Sequence, residues 1–179
     1  MIVLMSAFLL LSAFSCGGGN KANSTSEQSE ETAVNVPQFD ADSAYLYVKN
    51  QVDFGPRVPN TKEHVACGNY LAGQLEAFGA QVTNQYADLI AYDGTLLKAR
   101  NIIGSYKPES KKRIALFAHW DTRPWADNDP DEKNHNTPIL GANDGASGVG
   151  ALLEIARLVN QQQPELGIDI ILLDAEDYG

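Results

Sequence analysis

The chain has 179 residues, and its 13 basic and 23 acidic side chains give a formal net charge of −10. This length suits one domain, and a composition of 44% hydrophobic and 20% charged residues is typical of a globular protein. The acidic balance argues against nucleic acid as a partner, because nucleic-acid-binding proteins present basic surface to phosphate. Cys16 and Cys67 are too few for a disulfide framework and lack the paired spacing of a thiolate zinc site.

Residues 1–16 form an apolar, uncharged segment, which is too short to cross a bilayer and predicts a secretory signal. Small residues precede Cys16 and three glycines follow it, as in a bacterial lipoprotein cleavage box. We therefore expect Cys16 to carry lipid and to anchor an exported protein to a membrane, in the periplasm or at the cell surface. Simple signal cleavage and secretion is the alternative. Residues 17–36 are polar and predict a disordered tether, and residues 37–179 predict the folded part.

The first elements of the folded part are predicted to be two helices. Apolar spacing places one helix over residues 40–53. Thr61 is the candidate cap of a second helix, which ends at Gly79. The apolar side of the second helix carries Val65, Leu71, Leu75 and Phe78. Alternating residues 81–86 then predict a strand.

The second half of the folded part predicts an α/β unit. A hairpin turn at residues 92–95 leads into a strand near residues 99–106. Residues 114–118 and 168–173 are continuous apolar runs, typical of strands buried on both faces, and residues 145–160 between them predict a helix. The inner face of that helix carries Val149, Leu152, Leu153, Ala156 and Val159. This order predicts a crossover connection within an open, mostly parallel mixed sheet flanked by helices.

Polar clusters follow both buried strands and precede the crossover helix. His119 and Asp121 follow the first strand, Asp144 precedes the helix, and Glu176 and Asp177 follow the second strand. Ligands bind outside the carboxyl ends of strands in such sheets, where parallel neighbours bring these clusters together. Carboxylates gathered there need a cation to offset their repulsion, and imidazole with carboxylates suits zinc.

Each cluster taken alone has a simpler interpretation. His119 and Asp121 are typical of a hydrogen-bonded loop, Asp144 of a helix N-cap, and Glu176 with Asp177 of a solvated acidic turn. Their joint placement raises the metal-site interpretation well above what each cluster supports alone. The spacing by itself leaves both interpretations open.

Residues 118–129 closely resemble metallopeptidase family 28, the zinc aminopeptidases, and residues 141–148 and 173–178 extend this resemblance. More narrowly, the chain is similar to the animal-type glutaminyl cyclase branch of the family, which also occurs in bacteria. Residues 54–59 and 67–71 fit that branch as well. The resemblance implies a zinc aminopeptidase-like fold for essentially all of the folded part.

The resemblance also implies a role for each clustered residue. Asp144 corresponds to the metal-bridging carboxylate of two-zinc peptidases, or to the zinc aspartate of one-zinc cyclases. Asp177 corresponds to the neighbouring acidic ligand, and Glu176 to the catalytic glutamate. His119 corresponds to the ligand of the second metal in peptidases, and Asp121 to the aspartate that orients the ligands.

The family pattern continues with a further histidine ligand, and in peptidases another aspartate, from a later part of the sequence. His64 and His135 do not match that position. We therefore expect the chain to be the truncated N-terminal portion of the domain, with an incomplete ligand set. A sheet that ended at residues 168–173 would also leave an apolar edge, which favours aggregation.

Three functions are compatible with the resemblance. The first is a cyclotransferase that uses one Zn²⁺ to convert the N-terminal glutamine of peptides or proteins to pyroglutamate, with release of ammonia. Trp120 and Trp125 then line the substrate pocket, unless they only pack the loop. The second is a two-zinc aminopeptidase that hydrolyses N-terminal residues, and the third is an inactive fragment of either enzyme. We rank the cyclotransferase first.

Overall fold

A computed structural model describes residues 35–178. The elements in chain order are α1 (Ala41–Asp53), α2 (Lys62–Ala77), β1 (Gln81–Ile90), β2 (Leu96–Tyr106), β3 (Arg113–His119), a short 3₁₀ helix (Glu132–Asn134), α3 (Ala146–Gln161) and β4 (Gly167–Leu173). The predicted signal segment, Cys16 and most of the predicted tether lie outside the described residues. No helix within the described part is both long and apolar enough to cross a membrane.

The four strands form one open sheet in the order β1-β2-β4-β3. The β3–β4 pair is parallel and is joined through α3, whereas β1–β2 and β2–β4 are antiparallel. The helices α2 and α3 contact each other and the sheet, and α1 packs against α3. The predicted open mixed sheet flanked by helices is therefore confirmed. The prediction that it is mostly parallel is wrong for residues 35–178, because the β1–β2 hairpin joins β4 through an antiparallel β2 and leaves one parallel pairing among three.

Local sequence signals account for the positions of the helices. The Asp40 side chain accepts hydrogen bonds from the N–H groups of Asp42 and Ser43 and thereby caps α1. The hydroxyl of Thr61 accepts one from the N–H of His64 and caps α2, as predicted. The whole predicted inner face of α3 is buried, namely Val149, Leu152, Leu153, Ala156 and Val159.

The buried side of α2 differs from the predicted one. Leu71 and Leu75 are fully buried as expected, but Val65 is exposed and Phe78 is only partly buried. His64 takes the buried position, because its imidazole pairs with a carboxylate beyond the end of β4. This polar contact rotates the inward side of the first helical turn away from Val65.

The prediction that β3 is buried on both faces is wrong. Ile114 is exposed, and Phe117 is 58% exposed beside its partly buried partner Ile171 of β4. Two features explain this exposure: β3 lies at the edge of the sheet, and the helices among residues 35–178 pack on one face. The open apolar edge also differs from the predicted one, because β4 lies between β2 and β3.

We expect the 179-residue chain to self-associate through β3. The substitution Phe117→Lys should raise several-fold the highest concentration at which the chain is still monomeric. The added charge interrupts the exposed apolar surface beside an unpaired strand edge. Sedimentation velocity over a concentration series measures the effect. Tyr45→Lys, at an exposed aromatic residue of α1, is the matched control. Equal improvement by both variants, or a monomeric unsubstituted chain, would contradict the assignment to β3.

Candidate active site

The parallel pairing of β3 and β4 brings the predicted clusters to one edge of the sheet. His119, the last residue of β3, lies opposite Leu173, the last residue of β4. The N–H of Trp120 donates to the carbonyl of Leu173 at 2.9 Å and extends this pairing by one residue. The segments that follow the two strands therefore leave the sheet side by side.

His119 lies among three carboxylates. Its Nε2 is 2.9 Å from Asp144 Oδ1, and its Nδ1 is 3.5 Å from Asp121 Oδ1 and 3.7 Å from Glu176 Oε2. Nδ1 is buried and has no hydrogen-bond partner within residues 35–178. The Asp121 carboxylate raises the pKa of His119 to about 9, although burial opposes it, and Asp144 and Glu176 act in the same direction. The surrounding negative charge thus favours a cation at this point.

Asp121 anchors the acidic turn that follows β4. Its side chain is fully buried, and its two carboxylate oxygens accept hydrogen bonds from the N–H groups of Glu176 at 3.2 Å and Asp177 at 3.1 Å. One carboxylate thereby fixes the backbone of the predicted catalytic glutamate and of the predicted metal ligand. This geometry supports the orienting role that the resemblance implies.

Asp144 and Asp177 line one cavity of about 280 Å³. Oδ2 of Asp177 accepts a hydrogen bond from the N–H of Arg123 at 2.8 Å. Burial raises the pKa of Asp177, and the negative charges of Asp144 and Asp121 raise it further. A divalent cation in the cavity would relieve this cost, because it favours the ionised carboxylates.

The simple N-cap interpretation of Asp144 is wrong. The N-cap of α3 is Gly145, with φ +88° and no side-chain capping bond, and the Asp144 side chain is 67% exposed and bonded to His119. A β-carbon on Gly145 would lie 2.9 Å from the carbonyl oxygen of Asp121 and 3.3 Å from Cε1 of His119. Glycine therefore permits the close approach that brings Asp144 to His119.

The two tryptophans have different environments. Trp125 lines the cavity and packs edge-on against Tyr178, with ring centroids 5.3 Å apart. Trp120 does not line it: it is fully buried in the core, stacks on His64, and donates its indole N–H to the carbonyl of Arg100. The predicted pocket position is therefore corrected for Trp120. Successive side chains of an extended chain point to opposite faces, so Trp120, which directly follows His119, points towards the helices.

Arg57 is a site residue that the sequence analysis did not single out. Its guanidinium is buried, which lowers its pKa, and donates to the carbonyl oxygens of Trp120, Leu140 and Gly141. It thus ties the segment after β3 to the segment before α3. The available signals were an arginine within a run of turn residues, Phe54-Gly-Pro-Arg-Val-Pro59, and the resemblance of that run to the cyclase branch, neither of which indicates a role for the side chain.

The residues present fit part of a zinc site. Asp144 and Asp177 offer carboxylate oxygens to the same cavity, and His119 offers a buried imidazole nitrogen without a hydrogen-bond partner in the described chain. These are donor types that zinc prefers. No group of three or more His, Cys, Asp or Glu side chains among residues 35–178 is arranged to hold a metal ion. The described ligand set is therefore incomplete, and the metal roles remain predictions.

Comparison with known proteins supports this interpretation. Residues 101–179 match the sequence profile of peptidase family M28. A glutaminyl cyclase structure from Bacteroides thetaiotaomicron, bound to N-acetylhistamine, is 96% identical with a TM-score of 0.81, over 81% of this chain and 50% of that one. A structure of a leucine aminopeptidase precursor from the same species is also 96% identical with a TM-score of 0.81, over 82% and 50%. A Zn-dependent exopeptidase from Parabacteroides distasonis is 66% identical with a TM-score of 0.80, over 81% and 50%.

The fold is therefore that of the zinc exopeptidase-like proteins to which the chain is similar. The predicted resemblance is confirmed: residues 101–179 match the model of peptidase family M28, and the chain is similar to bacterial glutaminyl cyclases and Zn-dependent exopeptidases. The chain spans about half the length of these solved relatives. Zinc is the metal that the family and its relatives support.

Proposed function

We propose that the full-length protein is a zinc-dependent glutaminyl-peptide cyclotransferase. The observation that carries this proposal is the 96% identity to a solved glutaminyl cyclase over 81% of this chain. The substrate is a peptide or protein with an N-terminal glutamine, and the products are pyroglutamate and ammonia. One zinc ion is proposed, held by Asp144 and Asp177 together with a ligand from outside the described residues.

The reaction joins the α-amine nitrogen of glutamine to its own side-chain carbonyl carbon and breaks the bond from that carbon to the amide nitrogen. Bound zinc would polarise the carbonyl. Glu176, with its side chain 62% exposed and its N–H held by Asp121, would accept the amine proton and pass it to the departing ammonia. Trp125 and Ile139 would form the apolar wall of the cavity around the new ring. Water is not consumed.

The aminopeptidase is the second candidate, and the identity to a structure of a leucine aminopeptidase precursor favours it. In this reaction Glu176 would take a proton from a water molecule that attacks the first peptide carbonyl. Two zinc ions would then be held, with His119 as a ligand of the second. An inactive fragment of either enzyme is the third candidate, for the 179-residue chain itself.

The deciding experiment uses the full-length protein. Pyroglutamate formation from a peptide with N-terminal glutamine is measured beside hydrolysis of an aminoacyl amide, and zinc is counted per active chain. We expect cyclisation with one zinc ion. Hydrolysis alone with two zinc ions would establish the aminopeptidase instead. A protein that showed no activity in either assay would refute both proposals.

We further propose that Cys16 is lipidated and anchors the protein to a membrane outside the cytoplasm. In a bacterial host, metabolic labelling with a fatty acid should label the full-length protein and not its Cys16→Ala variant. Cys67 is the matched control, because it is a buried thiol whose pKa burial raises to about 12, and Cys67→Ala should keep the label. Equal labelling of all three proteins would exclude Cys16 as the attachment site.

A further inference from the structure

We propose that His64 and Asp174 form a positioning pair, which holds the acidic turn (residues 174–177) in the conformation that presents Glu176. The inference rests on the proposed function only in that Glu176 transfers the proton. Because Glu176 has this task in both the cyclotransferase and the aminopeptidase, the inference applies to either enzyme. His64 and Asp174 would act through Glu176 without touching substrate.

The pair is buried and has close contacts to both carboxylate oxygens. His64 Nε2 lies 2.9 Å from Oδ1 and 2.8 Å from Oδ2 of Asp174, and the two side chains are 4% and 0% exposed. The imidazole also stacks on Trp120, with ring centroids 4.3 Å apart and planes at 18°. The first turn of α2 is thereby connected to the segment that follows β4.

The Asp174 carboxylate is fixed from two further directions. Oδ2 accepts a hydrogen bond from the N–H of Arg100 in β2 at 2.6 Å, and Oδ1 accepts one from the N–H of Ala175 at 2.8 Å. The N–H of Asp174 donates to Asn101 Oδ1 at 3.0 Å. A buried carboxylate is retained only where such partners satisfy it, so α2, β2 and the start of the acidic turn are held by one group.

The acidic turn needs this support because its backbone is strained. Ala175 has φ +62°, a left-handed conformation that an alanine adopts only when its surroundings hold it. The Asp174 carboxylate fixes the N–H of Ala175 itself, and the Asp121 carboxylate fixes the N–H groups of the two residues after it. The direction in which Glu176 leaves the turn therefore depends on both carboxylates.

This arrangement does more than fill the core. A buried hydrogen bond contributes only modest net stability, but removal of one partner leaves the other group buried and unsatisfied, which costs more. Loss of the imidazole would leave Asp174 with its backbone donors alone and would free the acidic turn to relax. A small displacement of Glu176 would then lower the rate of proton transfer, because catalysis depends steeply on position.

The test compares two substitutions of His64 in the full-length protein. His64→Phe keeps an aromatic ring for the Trp120 stack and removes the N–H donor, whereas His64→Gln keeps a donor and removes the ring. We expect His64→Phe to lower kcat about 10- to 100-fold with little change in KM. His64→Gln should restore most of the lost kcat. The matched control is Arg157→Met, which breaks a contact to the buried Glu154 of α3, away from the acidic turn.

Hydrogen exchange of the amides of residues 175–177 gives a readout that is independent of activity. Exchange should be faster in His64→Phe and unchanged in Arg157→Met, even when both variants have the same Tm. Unchanged exchange, or a kcat loss that follows Tm in both variants, would overturn the inference. If the unsubstituted protein catalyses neither reaction, the proposed function fails while the exchange measurement still tests the pair. If His64→Phe does not fold, His64→Asn, whose shorter amide reaches Asp174 less well, is measured in its place.

Discussion

Glu176→Gln in the full-length protein should abolish pyroglutamate formation while zinc stays bound. Glutamine has nearly the same size as glutamate, and the backbone N–H of residue 176 can still donate to Asp121. The acidic turn is therefore expected to keep its conformation. Only the ability to accept a proton is lost. General acid–base catalysis typically contributes about 10²- to 10⁴-fold, so kcat should fall by at least that order.

Glu132→Gln is the matched control for this substitution. Glu132 is exposed on the short 3₁₀ helix and does not line the cavity, so the same chemical change there should leave kcat unaltered. Circular dichroism and zinc content confirm that each variant is folded and loaded. A near-normal rate in Glu176→Gln would remove this residue from the proposed mechanism, whichever reaction the protein catalyses.

Asp144→Asn and Asp177→Asn should each lose zinc. Both carboxylates line the same cavity, and replacing either one removes a charged donor that a neutral amide oxygen substitutes poorly. The loss of affinity should exceed the roughly 10- to 100-fold that removal of an outer-shell partner costs. In Asp177→Asn the amide oxygen can still accept a hydrogen bond from the N–H of Arg123, so the loop before the cavity should remain in place.

The control for the zinc measurement is Asp127→Asn. Asp127 lines the same cavity, but its carboxylate is paired with Arg123, so its loss should leave zinc bound. Zinc content after gel filtration and competition with a chelator measure the affinity. Loss of zinc in Glu176→Gln together with retention in Asp177→Asn would exchange the roles of these two residues.

The features that the sequence predicted well are those that depend on local periodicity. The inner face of α3 follows from its helical spacing, and the Thr61 cap follows from a side chain that bonds a backbone N–H group nearby. The gathering of His119, Asp144 and Glu176 required one further rule, which places the carboxyl ends of parallel strands at a common edge.

Other features depend on contacts between distant parts of the chain. An apolar run cannot reveal whether a helix will cover it, so the exposure of Phe117 was not predicted. The His64–Asp174 pair joins residues 110 positions apart, and it turns His64 inwards and Val65 outwards. The inward His64 imidazole stacks on Trp120, which is consistent with the position of this tryptophan in the core.

The parallel alignment of β3 with β4 makes the site sensitive to strand slippage. Successive side chains of a strand point to opposite faces, so a shift of one residue would carry His119 to the other side of the sheet. Because β3 is an edge strand, β4 alone fixes its alignment within the described residues. A slipped β3 would therefore separate His119 from Asp144 while the strand content stays the same, so circular dichroism would not detect the loss of the site.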